Sequence, residues 1–310
     1  MISSRGFYVI VKTPMSIKEH PPLHVPVLLD ACIDQLSPKL GENYLDLTAG
    51  YGGHASAFLA RTENYTDSFL VDRDSFAIAE LSHLKEKGVS ILHDDFASAA
   101  KKLVSAEKQF DLILLDLGVS SPQLDKQARG FSFTYDGPLD MRMDNRQDFT
   151  AEKLVNSWRE EQIADCIKRY GEETLGVSRR YAKAIVAARP INSTGELAEV
   201  IRQNHVGKWQ KTHPATRTFQ AIRIAVNEEL RQIETVLPLL PKLLKKDGRV
   251  GVISFHSLED RLVKRYFADQ ANSGYEAELN TVTKKPLAGN VYDVHNPRSR
   301  SAKLRVAVKK

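Results

Sequence analysis

The chain is poor in cysteine. Cys32 and Cys166 are its only two, far apart in 310 residues, which excludes a disulfide framework and a cysteine-based metal motif and suits a reducing compartment. Long apolar runs are missing as well. No stretch approaches the ~20 residues that a membrane-crossing helix needs, so no membrane span is expected. The patch Phe7-Tyr8-Val9-Ile10-Val11 is too brief and wrongly flanked for a secretory signal; Arg5, Lys12 and Lys18 leave an organellar leader open, but the segment is short and not Arg-rich. A cytoplasmic protein is expected. Internal repeats and low-complexity segments are absent too.

Excess charge is slight. The chain carries a formal +5, with 27% charged and 42% hydrophobic residues, ordinary values for a globular protein. The charge is unevenly spread, however. Residues 284–310 hold Lys284, Lys285, Arg298, Arg300, Lys303, Arg305, Lys309 and Lys310 against Asp293 alone. A basic tail on a near-neutral body fits a polyanion partner, most simply nucleic acid, or else a solvated terminus.

What is present is a strand–helix alternation from residue 43. Strands are expected at Tyr44–Leu47, Ser68–Asp72, Val89–Leu92 and Phe110–Leu117, with helices at Gly53–Arg61, Ser75–Lys87 and Ala97–Ala106 between them. Short β-α-β links argue for an open, mostly parallel sheet, and the run from Phe110 to Leu117 reads as a central strand covered on both faces. Residues 127–218 lack strong strands and carry helical periodicity, as in Ala151–Tyr170, Ser178–Arg189 and a helix capped by Ser193 and Glu196. The α/β pattern then resumes with a helix over Phe219–Leu237, a strand over Arg249–Phe255, a helix over Leu258–Ala268 and a last strand over Leu304–Val308. The expected division is an N-terminal extension (1–22), an α/β domain (23–126 and 219–310) and an inserted helical subdomain (127–218).

In open parallel sheets, ligands sit at the carboxyl ends of the strands, near the point where strand order reverses. Four strand ends here carry suitable polar groups. The first ends in Asp46 and a glycine loop, Gly50-Tyr51-Gly52-Gly53-His54-Ala55, which fits the loose dinucleotide pattern G-x-G-x-x-[GA]. The second ends in Asp72, placed to take two ribose hydroxyls, and the third in Asp94-Asp95-Phe96, a carboxylate beside an aromatic ring suited to adenine. The fourth ends in Asp116 and Gly118-Val119-Ser120-Ser121-Pro122-Gln123. A lone Asp at a strand end is commonly a helix cap; four in register point to an adenine-bearing cofactor. NAD would set its pyrophosphate on bare amides, whereas S-adenosylmethionine has a sulfonium and an amino-acid tail, for which the carboxylate of Asp46 is useful. Ser120-Ser121-Pro122-Gln123 resembles in part the [DNS]-P-P-[YF] loop of amino-methyltransferases, which grips an exocyclic amine, with one proline and with Gln123 in place of the aromatic.

Over His24 to nearly the C-terminus, the chain resembles the bacterial small-subunit ribosomal RNA cytosine-N4 methyltransferases. The resemblance rests on "HVPVLL" (24–29), the loop 46–54, "LLDLGVSSPQLD" (114–125), "GFSFTYDGPLDMRMD" (130–144), "HPATRTFQAIRIAVNEEL" (213–230), "ISFHSLEDRLVKRYF" (253–267) and "NPRSRSAKLR" (296–305). Leu47 and Ala55 depart from the family, which usually has Gly and Ser there.

The resemblance implies a doubly wound, Rossmann-like class I methyltransferase sheet with a helical insertion. It also implies S-adenosylmethionine as methyl donor and a cytosine in the decoding region of small-subunit ribosomal RNA as acceptor. Carried over by motif, Gly52, Gly53, His54, Asp72, Phe96, Asp116 and Gln123 bind the cofactor, and Ser120, Ser121 and Pro122 hold the acceptor amine. No metal is expected. The partner is the ribosomal RNA or small subunit, and the protein is a monomer or homodimer. Arg217, Arg223, Arg298 and Arg300 then read as RNA phosphate contacts, Asp140–Asp144 as a wall of the nucleotide pocket, and His256 as a structural histidine. An NAD-dependent oxidoreductase and a non-catalytic ribosome-assembly factor are the alternatives.

Overall fold

Apolar runs bounded by turn residues become the strands of one eight-stranded sheet. The structure is a computed structural model that describes residues 26–207 and 212–310; the extension 1–22 and the start of the "HVPVLL" motif lie outside them. The strands are β1 (Tyr44–Asp46), β2 (Phe69–Asp72), β3 (Ser90–His93), β4 (Phe110–Asp116), β5 (Leu244–Ser254), β6 (Leu279–Thr281), β7 (Leu287–Ala288) and β8 (Lys303–Lys309). Their order is β3-β2-β1-β4-β5-β8-β6, with β7 also on β8. β1 to β5 run parallel, and β8 is antiparallel to β5, β6 and β7. Strand order reverses between β1 and β4, so the crevice lies at their carboxyl ends.

β4 shows why the sheet needs a layer on each face. Ile113 and Leu115 join Leu103, Val236 and Leu240 in one core, while Leu112 and Leu114 join Leu36, Phe58 and Leu304 in the other. Period-2 alternation of apolar residues on both faces demands this. Leu47 and Ala55, where the chain departs from the family, are core residues.

A third core runs from Phe131 to Val226 and is built from helices and the loops between them; it includes Leu154, Ile167, Ile185 and Ile201. The helix Ala215–Asn227 sends Phe219, Ile222 and Val226 into it, whereas the helix Glu229–Val236 sends Ile233 and Val236 to the sheet. One continuous helix over Phe219–Leu237 is therefore corrected to two, broken at Glu228 with φ 50°. The cause is tertiary. Asn227 is buried, donates to the carbonyls of Met141 and Arg223, and accepts from the Met143 N–H, so the chain is pinned where it passes between cores.

The expected helix Ala151–Tyr170 also splits, into Ala151–Ser157 and Glu160–Tyr170, where Gln162 caps the Arg159 N–H at 3.0 Å. Ser75–Lys87 divides at Leu81. The Ser193/Glu196 cap is present at the start of Thr194–Gln203. Among the described residues, no helix is long and apolar enough to cross a membrane.

Candidate functional site

The carboxyl ends of β1, β2, β4 and β5 surround a cavity of about 400 Å³, within the range of small-ligand pockets. Of the residues singled out from sequence, Gly53, His54, Asp72, Phe96, Asp116, Ser120, Ser121, Pro122 and Gln123 line it. Gly52 does not. It sits at φ 80° as the N-cap of the helix Gly53–Thr62, and a Cβ there would meet Leu81 Cδ2 at 3.0 Å, so its role is to let the chain turn. At Gly53 a Cβ would lie 2.6 Å from Pro26 Cγ.

Asp72 shapes the glycine loop. Its two oxygens accept the N–H groups of Gly50 and Asp74, each at 2.8 Å, and each keeps a further lone-pair direction for a ligand hydroxyl. Burial raises its carboxyl above the usual range, against the pull of those backbone bonds. Phe96 opens the next helix, capped by Asp95 through the N–H groups of Ala97 and Ser98. Of the Asp94-Asp95 pair, only Asp94 reaches the cavity.

Asp116 is the least satisfied carboxylate. Its Oδ1 is buried without a hydrogen bond, and Oδ2 lies 3.7 Å from His54 Nδ1. Burial, then the charges of Asp46 and Glu259, push its carboxyl well up. A buried acceptor with no donor calls for a cationic or N–H ligand. Asp46, in contrast, does not line the cavity. It is buried in the sheet and accepts from Tyr44 Oη at 2.8 Å and the Thr48 N–H at 3.1 Å. Its expected use toward an amino-acid tail is corrected, since the carboxylate does not reach the cavity that Asp116 lines.

Gln123 is committed at both ends of its amide. Oε1 accepts the Ser120 N–H at 3.0 Å, and Nε2 donates to Asp74 Oδ2 at 2.8 Å. Arg129 Nη1 reaches the same Asp74 oxygen at 2.7 Å. This buried knot ties the Ser120–Pro122 loop to the end of β2. Asp74 and Arg129, 55 positions apart, are invisible to local pattern reading.

The β5 side of the cavity was also missed. Arg223 pairs with Glu229 through two bonds of 2.9 Å. Glu259, fully buried, accepts the Phe255 N–H at 2.8 Å, and its Oε1 lies 3.3 Å from His256 Nε2. Burial raises the Glu259 carboxyl, but His256 and Arg223 outweigh it and hold the group below its usual range. Glu229, His256 and Glu259 bring ligand-type atoms within 4.8 Å of one another, but Arg223 already occupies both Glu229 oxygens. Arg223 is thus a half-buried ion-pair partner at the cavity wall, correcting its reading as a phosphate contact. In the Asp140–Asp144 turn, Arg142 pairs with Asp140 and Met143 walls the cavity.

Much of the basic tail is built into the sheet. Residues 303–309 form β8, an interior strand, and interior charges must be paired. Lys303 and Arg305 both bind Asp260, at 3.1 and 2.8 Å, and Lys309 donates to the carbonyls of Pro241 and Leu244. Arg298 lines the cavity mouth paired with Asp125. Lys284, Lys285 and Arg300 stay exposed.

The model of the MraW methylase family matches residues 22–310. The chain is 45% identical over 297 residues to the ribosomal RNA small subunit methyltransferase H of Synechocystis sp., covering 92% of this chain and 93% of that protein. It is 45% identical over 307 residues to the protein of the same name from Rickettsia akari, covering 92% and 98%. Among solved structures, a putative rRNA-methylase from Clostridium thermocellum aligns at 12% identity and TM-score 0.44 over 93% of this chain and 100% of that one.

Proposed function

The chain belongs to the MraW methylase family, and from that premise we propose that it methylates the N4 amine of a cytosine in the decoding region of small-subunit ribosomal RNA. The observation that carries this reading is the convergence, in one cavity, of a carboxylate with one buried oxygen that has no hydrogen bond (Asp116 Oδ1) and a rigid polar loop (Ser120–Pro122). S-adenosylmethionine, the donor, supplies an electrophilic methyl group when bound. Asp116 fits its ammonium, Asp72 its ribose hydroxyls, and the Phe96 ring its adenine face. Gly53 and His54 line the turn where its amino-acid end would lie. Gln123 acts on the loop rather than on the ligand, by fixing Ser120.

An exocyclic amine has its lone pair delocalised into the ring. Acceptors that hold its N–H bonds let the nitrogen pyramidalise, and orienting it toward the donor supplies much of the rate. The Ser120–Pro122 loop is assigned that task, and Gln123 and Arg129 keep it from moving. A paired cytosine cannot reach the loop, so the base must be unpaired or flipped out. The helical layer around the third core, up to Glu228, is proposed as the subdomain that recognises the RNA. A cytoplasmic address follows from that substrate.

Two outcomes test this. Mass mapping of small-subunit ribosomal RNA, incubated with the protein and S-adenosylmethionine, should show one new N4-methylcytidine; methylation confined to another base would overturn the reading. Asp116→Asn should weaken S-adenosylmethionine binding by about 10- to 150-fold, the loss expected for a charged hydrogen bond of ~1.5–3 kcal/mol. Because the Asp116 carboxyl is held high, wild-type affinity should rise with pH as it ionises, while that of the Asn variant stays flat. Calorimetric titrations across pH decide it: parallel curves would exclude Asp116.

A further inference from the structure

The helix Leu175–Ala187 carries Arg179, Arg180 and Lys183 and no acidic residue. Its buried positions, Ser178, Tyr181, Ala182 and Ile185, face inward. At 3.6 residues per turn, the three cations therefore share the outward side, and all three are exposed. Among the described residues, no carboxylate pairs with them. The two acids just before the helix are engaged elsewhere: Glu172 with Ser257 and with Arg261 at 2.8 Å, Glu173 with Arg217 at 3.6 Å.

Those same bonds locate the helix. Ser257 begins the helix that follows the carboxyl end of β5, the edge of the sheet that holds the cavity. The basic helix thus starts near the cavity side and is about 20 Å long. The contrast with the C-terminal segment is informative. There the charge is concentrated in the sequence, but in β8 it is spent on Asp260 and backbone carbonyls. Here it is sparse in the sequence but uncompensated in the fold.

We propose that the face formed by Arg179, Arg180 and Lys183 binds the phosphate backbone of the RNA whose base enters the cavity, an inference that rests on the ribosomal RNA reading above. Three clustered cations without counter-charges repel one another, and phosphates relieve this while releasing condensed counterions. Arginine suits the task because its planar fork meets two phosphate oxygens at once. These contacts position the RNA without reading its sequence.

The test compares wild type with Arg179→Gln/Arg180→Gln/Lys183→Gln, and with the corresponding triple Glu variant, on purified small-subunit ribosomal RNA across a salt series. S-adenosylmethionine affinity and Tm should be unchanged in both variants, since all three side chains are exposed. The slope of log affinity against log salt should become shallower by about two units in the Gln set, from three contacts worth ~0.7–0.9 each. The Glu set should bind more weakly still. If both sets keep the wild-type affinity and slope while the wild type methylates this RNA, the proposed surface is wrong and the functional reading stands. If the wild type neither binds nor methylates it, the functional reading itself fails.

Discussion

Arg223→Ala is expected to lower the unfolding free energy by about 3–5 kcal/mol, the cost of leaving a buried charge without its partner. Against a total of ~5–15 kcal/mol for a typical domain, that leaves the fold marginal. Arg223 lies one turn before the end of the last helix of the third core, and Glu229 begins the next helix, which packs on the sheet. The two bonds of 2.9 Å between them close the break at Glu228. Without the guanidinium, Glu229 is almost wholly buried with its negative charge unmatched, and Glu259 loses one of the cations that hold its carboxyl low. Replacing both partners by apolar residues of similar length, Arg223→Met with Glu229→Leu, should recover most of the loss, because no charge is then stranded. Urea titrations of the three variants and wild type measure this. A single-variant cost below about 1 kcal/mol would mean that water reaches Glu229 in solution and that the pair does not join the two layers.

Asp46→Asn is expected to do the opposite and stabilise the protein above neutral pH. Burial drives the Asp46 carboxyl from 3.8 up to about 7, despite the hydrogen bonds from Tyr44 and Thr48 that pull it down. Between those two pH values the folded protein holds a proton that the unfolded chain has released. Stability therefore falls as pH rises through the window, and the contribution is fully lost above about pH 7. At ~1.4 kcal/mol per pH unit, the loss amounts to a few kcal/mol. Asparagine keeps the shape and removes the charge. Its oxygen can take the Thr48 N–H, and the Tyr44 hydroxyl can rotate to accept from its amide. Urea midpoints at pH 5 and pH 8 should differ less for the variant than for wild type, with the gain at pH 8. Parallel pH curves would show that Asp46 is ionised and solvated in the folded state.

Local patterns carried most of the sheet. The strands β1 to β4 are each one apolar run with its own turn residues, so periodicity finds them and most of their helices to within a residue or two, the division at Leu81 aside. β6 and β7 escaped because "LNT" and "LA" hold no apolar run of the kind that marks β1. The break at Glu228 escaped because helix propensity is continuous through "NEEL"; only the anchoring of Asn227 to Met141 and Met143 interrupts it. The site divides in the same way. Gly53, His54, Asp72, Phe96 and Asp116 sit at strand ends or in the turn after β1, where topology must deliver them. Asp74, Arg129, Arg223, Glu229 and Glu259 act through partners that the local pattern does not reveal.

By itself, the sequence determined the parallel sheet, the helical insertion, the strand ends that meet at the crevice, and the family, because each depends on spacing within a short window or on long motifs. Only the tertiary structure decided which charges are available to a ligand. It buried Asp46 and left Asp116 Oδ1 without a hydrogen bond. It spent Lys303, Arg305 and Lys309 on internal acceptors and left Arg179, Arg180 and Lys183 on an open face. The reason is physical: a side chain's charge is set by its residue type, but whether that charge is desolvated, paired or free depends on neighbours that the fold brings together from distant parts of the chain.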